Sequence, residues 1–150
     1  GNLPISNYRL ADWPEGVNRY NERIKELGLS DEVIFTGRVP QDQMGALYAA
    51  CDLMIYPSLC ESFGFSMIEA MGHGLPIVAA DTLINREICR DGAFYYPPLN
   101  AAAGAETVML ALDEEARQQI GEGGLRRMRS FDWSWRRYAS EFVAIIDSLR

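Results

Sequence analysis

Histidine and cysteine are scarce in this 150-residue chain, positive charge is outnumbered, and long apolar runs are absent. A single histidine, His73, stands among three cysteines, Cys51, Cys60 and Cys89, with no C-x-x-C pair. No histidine lies near the cysteines at metal-binding spacing. An odd count without such spacing excludes a disulfide framework and a zinc site, and fits a reducing cytoplasm. Lys and Arg total 14 against 21 Asp and Glu, a formal charge of −7, and no basic cluster is long enough to follow a phosphate backbone. Nucleic acid is therefore excluded as a partner, and the acidic balance also opposes adhesion of this segment to anionic lipid. No run approaches the roughly 18 to 20 apolar residues that span a bilayer, and no signal-peptide pattern opens the chain. An Asp-x-Asp pair that could hold a divalent ion on a diphosphate is missing as well.

What is present suffices for one core. At 48% apolar residues, the length suits a single domain or part of one. Pro14 suits a helix start; Val17, Tyr20, Ile24 and Leu27 recur at helical steps, and Gly28 gives a stop. "VIFTG" at 33–37 reads as a strand, and Met44, Leu47, Tyr48 and Cys51 return to helical spacing. "DLMIYPS" at 52–58 is apolar on both alternating faces, as a strand covered on both sides would be. A short helix from about Ser66 follows, then a buried strand "PIVAA", a helical segment from Ile84 to Cys89, and a strand "AFYY". Strand alternating with helix predicts an α/β fold with a parallel sheet. Beyond Pro97 and Pro98 three helical segments are expected. The glycines at 121, 123 and 124 are expected to interrupt the middle one, and Tyr138, Phe142, Ile145, Ile146 and Leu149 form an apolar stripe on the last. The strand that a βαβ unit would place before the first helix is absent, so the chain reads as part of a longer protein.

The stretch "ESFGFSMIEAMGHGLP" at 61–76 carries two acids, Glu61 and Glu69, between a strand end and a helix start. In open parallel sheets, ligands bind at such carboxyl ends. The amides of Ser66, Met67 and Ile68 are expected as unpaired donors, and Gly64 would let a ligand approach the backbone, which together make a phosphate cradle. The bland reading of Glu69 is a capping box, "SMIE", with Ser66 as N-cap. Both readings of Glu69 stay open on the residues alone. Glu61 fits no cap position and stands near Phe63 and Phe65, two aromatics a solvent-facing loop would not be expected to hold.

"FTGRVP" and "LYAACDLMIYPSLCESFGFSMIEAMGHGLPIVAAD" resemble the nucleotide-binding, C-terminal domain of retaining glycosyltransferases of the GT-B fold, whose E-x7-E element falls on Glu61 and Glu69. The similarity extends over nearly the whole chain. It implies a Rossmann-like, doubly wound parallel sheet with the first βα units missing, and a donor site for a nucleotide-diphosphate sugar, UDP- or GDP-linked. Glu69 would bond the ribose hydroxyls. Gly64, Phe65, Ser66 and Met67 would hold sugar and diphosphate through backbone amides, and Arg38, Val39 and Met44 would lie at the base. Glu61 would be the catalytic acid, facing the donor sugar. The resemblance implies transfer with retention, without metal or cofactor, to a glycan or lipid-linked acceptor in polysaccharide or glycolipid synthesis.

The family's basic pair for the diphosphate and its acceptor-binding N-terminal domain are not in this sequence. Any membrane association would come through that absent domain, and the 150 residues alone are expected to be inactive. In the usual strand order 3-2-1-4-5-6, the missing strands would lie between "VIFT" and "DLMIY". The piece is therefore expected to fold with the rest of its parent or to form a homodimer through open strand edges. His73 is read as structural, since it lacks an orienting carboxylate. Trp133, Trp135 and Tyr138 are read as anchors of the last helix. The competing functions are a sugar-nucleotide epimerase or phosphorylase of the same fold, and a noncatalytic module that keeps Glu69 and the cradle but could dispense with Glu61. A receiver-like signalling domain is disfavoured because "FTG" and "YPS" supply no acids for magnesium.

Overall fold

The computed structural model describes residues 14–131 and 134–149. The chain divides into two units, Gly1–Val39 and Pro40–Arg150, each described here by itself.

In the first unit α1 runs Pro14–Glu26, starting at the proline that lacks the amide a first turn cannot use. It ends in a Schellman turn: Leu29 N donates to Ile24 O at 3.0 Å and Gly28 N to Lys25 O at 3.0 Å, with Gly28 at φ +68°. The strand expected at 33–37 does not form. Ile34 and Phe35 are exposed, and among the described residues no strand pairs with them. β-propensity without a ladder partner does not make a strand.

The second unit alternates as expected. α2 (Gln41–Ala50), β1 (Met54–Tyr56), α3 (Phe65–Gly72), β2 (Ile77–Ala80), α4 (Leu83–Cys89), a single 3-10 turn (Arg90–Gly92) and β3 (Ala93–Tyr96) lead into three helices, α5 (Ala101–Ala111), α6 (Glu114–Ser130) and α7 (Trp135–Ser148). Among the described residues the sheet has the order β1-β2-β3, all parallel. Met54 pairs with Ile77 and Tyr56 with Ala79 across the first ladder; Ile77 pairs with Ala93 and Ala80 with Tyr96 across the second. β2 is central and wholly buried, while β1 is an edge strand whose Ile55 is 56% exposed. β1 is thus not covered on both faces, contrary to its apolar composition.

The core lies on both sides of β2. Met67, Ala70 and Met71 of α3 pack with Ile77, Ala79, Ile88 and Cys89 on one side, and Val78, Ala80, Tyr96 and Ala111 on the other. Burial pushes the Cys89 thiol up to about 12. Side-chain caps start the later helices: Thr82 accepts from Asn85 N, Asn100 from Ala103 N, Asp113 from Ala116 N and Ser134 from Arg137 N.

α6 is continuous, not interrupted by its glycines. A Cβ on Gly121 would stand 2.6 Å from Gly74 O, and one on Gly123 2.6 Å from Asp91 O. Close backbone packing of α6 on the turns at 74 and 91–92 therefore outweighs the cost of glycine in a helix. Arg127 anchors the end of the same helix, donating to the carbonyls of Ile88 and Glu87 at 2.8 Å each, which are acceptors α4 leaves open. On α7, Tyr138, Phe142, Ile145, Ile146 and Leu149 are all exposed. Trp133 and the Trp135 side chain lie outside the described residues. Among the described residues no helix is long and apolar enough to cross a membrane.

Candidate active site

β1 ends at Tyr56, and the loop from Pro57 carries Ser58 and Glu61 to the start of α3. Ser58 Oγ donates to Glu61 Oε1 at 2.7 Å, a shorter contact than its 3.2 Å approach to Cys60 O. The Tyr56 phenol and then the Ser58 hydroxyl hold the Glu61 carboxyl below its ordinary range, because both bond its charged form. Burial and the Glu61 carboxylate raise the Tyr56 phenol in turn, and a hydrogen bond from Ser66 partly opposes this.

The N-cap of α3 is Gly64, not Ser66. Gly64 is left-handed at φ +70°, where a side chain costs ~1–2 kcal/mol. A Cβ there would also meet Met67 Cε at 2.5 Å and Ile88 Cδ1 at 2.9 Å. Gly64 is thus required by its backbone conformation, while the two side-chain ends could shift. Starting the helix at Phe65 changes the donor set. Met67 N donates to Gly64 O at 3.0 Å and Ile68 N to the same oxygen at 3.4 Å, so the amides left over by the first turn are those of Phe65 and Ser66. Phe63 and Phe65 pack against each other at a tilt of 44° with ring centroids 4.6 Å apart, which gives each aromatic a partner at the loop–helix junction.

Glu69 forms no capping box. Tyr48 Oη donates to its Oε2 at 3.0 Å and Gln41 Nε2 to its Oε1 at 3.2 Å, so both carboxylate oxygens are tethered to α2. Tyr48 is buried, and burial and then the Glu69 carboxylate push its phenol up to about 12. His73 stacks on the Tyr48 ring at 5.6 Å, in keeping with a structural role. Met44, also on α2, packs against the core. Arg38 and Val39 belong to the first unit.

Sequence reasoning missed Tyr48, Gln41, Tyr56, Ser58 and Asn85. Only "YPS", polar groups at the end of an apolar strand, gave a local sign of this arrangement. Asn85 is fully buried, and its Nδ2 donates to Ala80 O at 2.9 Å and Ser58 O at 3.2 Å. Its Oδ1 is buried without a partner, a cost of about 1–3 kcal/mol.

A groove of about 390 Å³ opens elsewhere in the second unit, lined by Tyr48, Asp52, His73, Glu114, Arg117 and Glu122 among others. It lies toward the N-terminal ends of β1 and β2, where Asp52 and Pro76 precede the strands, and away from Glu61. The chemistry of an open parallel sheet belongs to the other end, so concavity alone does not mark the site here. Among the described residues no group of three or more His, Cys, Asp or Glu is placed to hold a metal.

The model of the family described as "Glycosyl transferases group 1" matches residues 7–127. The 2-deoxystreptamine glucosyltransferase of Streptomyces kanamyceticus is 36% identical over 112 residues, covering 71% of this chain and 28% of that protein. Among solved structures, sucrose-phosphate synthase from Thermosynechococcus elongatus superposes with a TM-score of 0.74 at 26% identity, over 89% of this chain and 34% of that one. Anabaena HepE in complex with UDP gives 0.73 at 25%, over 94% and 38%. The chain spans roughly a quarter to a third of the curated relatives it matches. Its Rossmann-like α/β arrangement is that of the C-terminal domain of GT-B glycosyltransferases. With four-fifths of its length under one family model, the chain belongs to the group 1 glycosyl transferases.

Proposed function

We propose that this chain forms the donor half of a retaining glycosyltransferase that binds a nucleotide-diphosphate sugar at the carboxyl ends of β1 and β2. The observation that carries the reading is the Glu61 carboxylate, held ionised by Tyr56 and Ser58 in the loop that leads into the first turn of α3. Phe65 and Ser66 amides at that turn suit the diphosphate, and the helix dipole favours the negative charge that grows there as the glycosidic bond breaks. Charge stabilisation from amides and dipole would do a metal's work, and no cofactor is needed. Glu69 keeps two of its about four lone-pair sites after Tyr48 and Gln41 are served, enough to accept both ribose hydroxyls. Met44 would lie near the base. HepE, which is crystallised with UDP, supports a uridine donor over a guanosine one.

Glu61 already accepts the Ser58 hydroxyl at 2.7 Å, and Ser58 and Tyr56 together favour its charged form, which weakens it as a nucleophile and leaves its charge intact. Its role is accordingly electrostatic support of an oxocarbenium-like transition state. The acceptor is a glycan or lipid-linked glycan, as relatives named as an O-antigen chain mannosyltransferase and a phosphatidyl-myo-inositol mannosyltransferase suggest.

Titration of the full-length enzyme with UDP, GDP and their sugars tests the reading, with the product anomer assigned by NMR. UDP binding that weakens in Glu69→Ala and survives in Glu61→Gln, with turnover lost in the latter, is the expected result. An inverted anomer, or full turnover by Glu61→Gln, would refute it. Isomerisation of the donor without nucleotide release would assign an epimerase instead.

A further inference from the structure

We propose that Asn85 is a positioning residue that orients Glu61 by pinning Ser58 to the end of β2. The inference rests on the role given to Glu61 above. The first ladder ends with Tyr56 against Ala79, and beyond it the two strands part. At that opening the two Nδ2 protons of Asn85 go to Ala80 O at 2.9 Å and Ser58 O at 3.2 Å, bridging the chain just past the last pair. Ser58 then donates its hydroxyl to Glu61 Oε1 at 2.7 Å. The backbone of Asn85 is fixed independently, since its amide bonds the Thr82 cap at 3.2 Å. One side chain thus ties the loop that carries Glu61 to the central strand.

The orientation of the amide follows from chemistry. Two carbonyl acceptors demand the NH2 end, and a flipped amide would set its oxygen against both of them. Its oxygen is left buried and unpartnered. A residue retained for packing alone would be apolar, because an amide with an unsatisfied end costs more than a hydrocarbon of the same shape. What this position uses is the pair of donors, and both serve the separating strand ends.

The test uses the full-length enzyme and two substitutions. Asn85→Asp keeps the shape and removes the paired donors; Asn85→Leu removes polarity altogether. The expected outcome is a fall in kcat on the order of ten- to a hundredfold, as for a misplaced catalytic group, with UDP affinity within about twofold of the parent. The carboxyl carbon of Glu61, followed by NMR and assigned with Glu61→Gln, should titrate at a higher pH in Asn85→Leu, which adds no charge of its own. In a Ser58→Ala background the same substitution should leave that midpoint unmoved, because the link is already cut. A structural amide would lower thermal stability and leave the Glu61 midpoint where it was, which overturns the proposal. Should Asn85→Leu fail to fold, Asn85→Ala takes its place with the same readout, and an unshifted Glu61 midpoint in Ser58→Ala refutes the second half of the link. If Glu61→Gln retains turnover, the catalytic reading fails, whereas the NMR midpoint still reports on Asn85 alone.

Discussion

Replacing Tyr48 by phenylalanine isolates a single O–H. The ring keeps its stack on His73 and its place in the core, while the 3.0 Å hydrogen bond to Glu69 disappears. A hydrogen bond to a charged acceptor contributes about 1.5–3 kcal/mol net. Glu69 is half-buried and can recruit water once the phenol is gone, so the loss at pH 7 belongs near the lower end, about 1.5 kcal/mol. The pH dependence supplies the sign. The Tyr48 phenol is raised from 10.0 to about 12 in the folded protein, so its contribution is whole below the unfolded value and is lost as pH climbs through the folded one. Two pKa units correspond to roughly 2.7 kcal/mol. The stability gap between parent and Tyr48→Phe should consequently shrink, and then reverse, between about pH 10 and pH 12. Urea denaturation of both proteins across that range measures it. A gap that stays constant through pH 12, or a variant as stable as the parent at pH 7, would refute the tether. If Glu69 holds the ribose, the same variant should also bind UDP more weakly, through a carboxylate left with Gln41 alone.

Two further outcomes are expected. Gly121→Ala and Gly123→Ala should each destabilise by about 1–3 kcal/mol, despite a helix-propensity gain of about 1 kcal/mol, because the added Cβ meets a backbone oxygen at 2.6 Å. For Gly124→Ala the three atoms nearest the added Cβ all belong to Met71, with Cγ first at 3.1 Å, so the loss should be smaller than at 121 or 123; thermal melts that rank the three by propensity alone would contradict the packing. In NMR titration Glu61 should ionise below the ordinary glutamate value of 4.5, and Ser58→Ala or Tyr56→Phe should move the midpoint up. Its depressed pKa makes the associated stability present above the unfolded value and lost as pH falls through the folded one, so the parent should lose more stability on acidification than Ser58→Ala does.

Much of the second unit was legible. Strands β1 to β3, the helices between them and the acidic start of α6 follow from apolar runs, caps and breakers, all of which are local. The first error, a strand at 33–37, came from β-branched and aromatic residues that have no ladder partner among the described residues. The second was the expected break in α6, where glycine is selected by backbone contacts at Gly74 and Asp91, 47 and 32 residues away in sequence. The two acids were located from their spacing and from the family resemblance, but their partners were not. Tyr48 and Gln41 lie 21 and 28 residues from Glu69, and Asn85 lies 27 from Ser58. Helix periodicity marked Tyr48 as apolar and gave no hint that its hydroxyl would reach a carboxylate. Ser66, a cap by its neighbours in sequence, caps nothing once Gly64 has taken that position.

The contact of α6 with the turns at 74 and 91 also limits how this face can change over time. Where two side chains touch, enlarging one can be compensated by trimming the other, and a family explores both sizes. Gly121 and Gly123 touch peptide oxygens, which every residue type carries and none can shorten. No second-site replacement at positions 74 or 91 restores the space, so repair would require moving the helix itself. In a directed-evolution library these two positions should behave as fixed points, refractory to suppression by any neighbour.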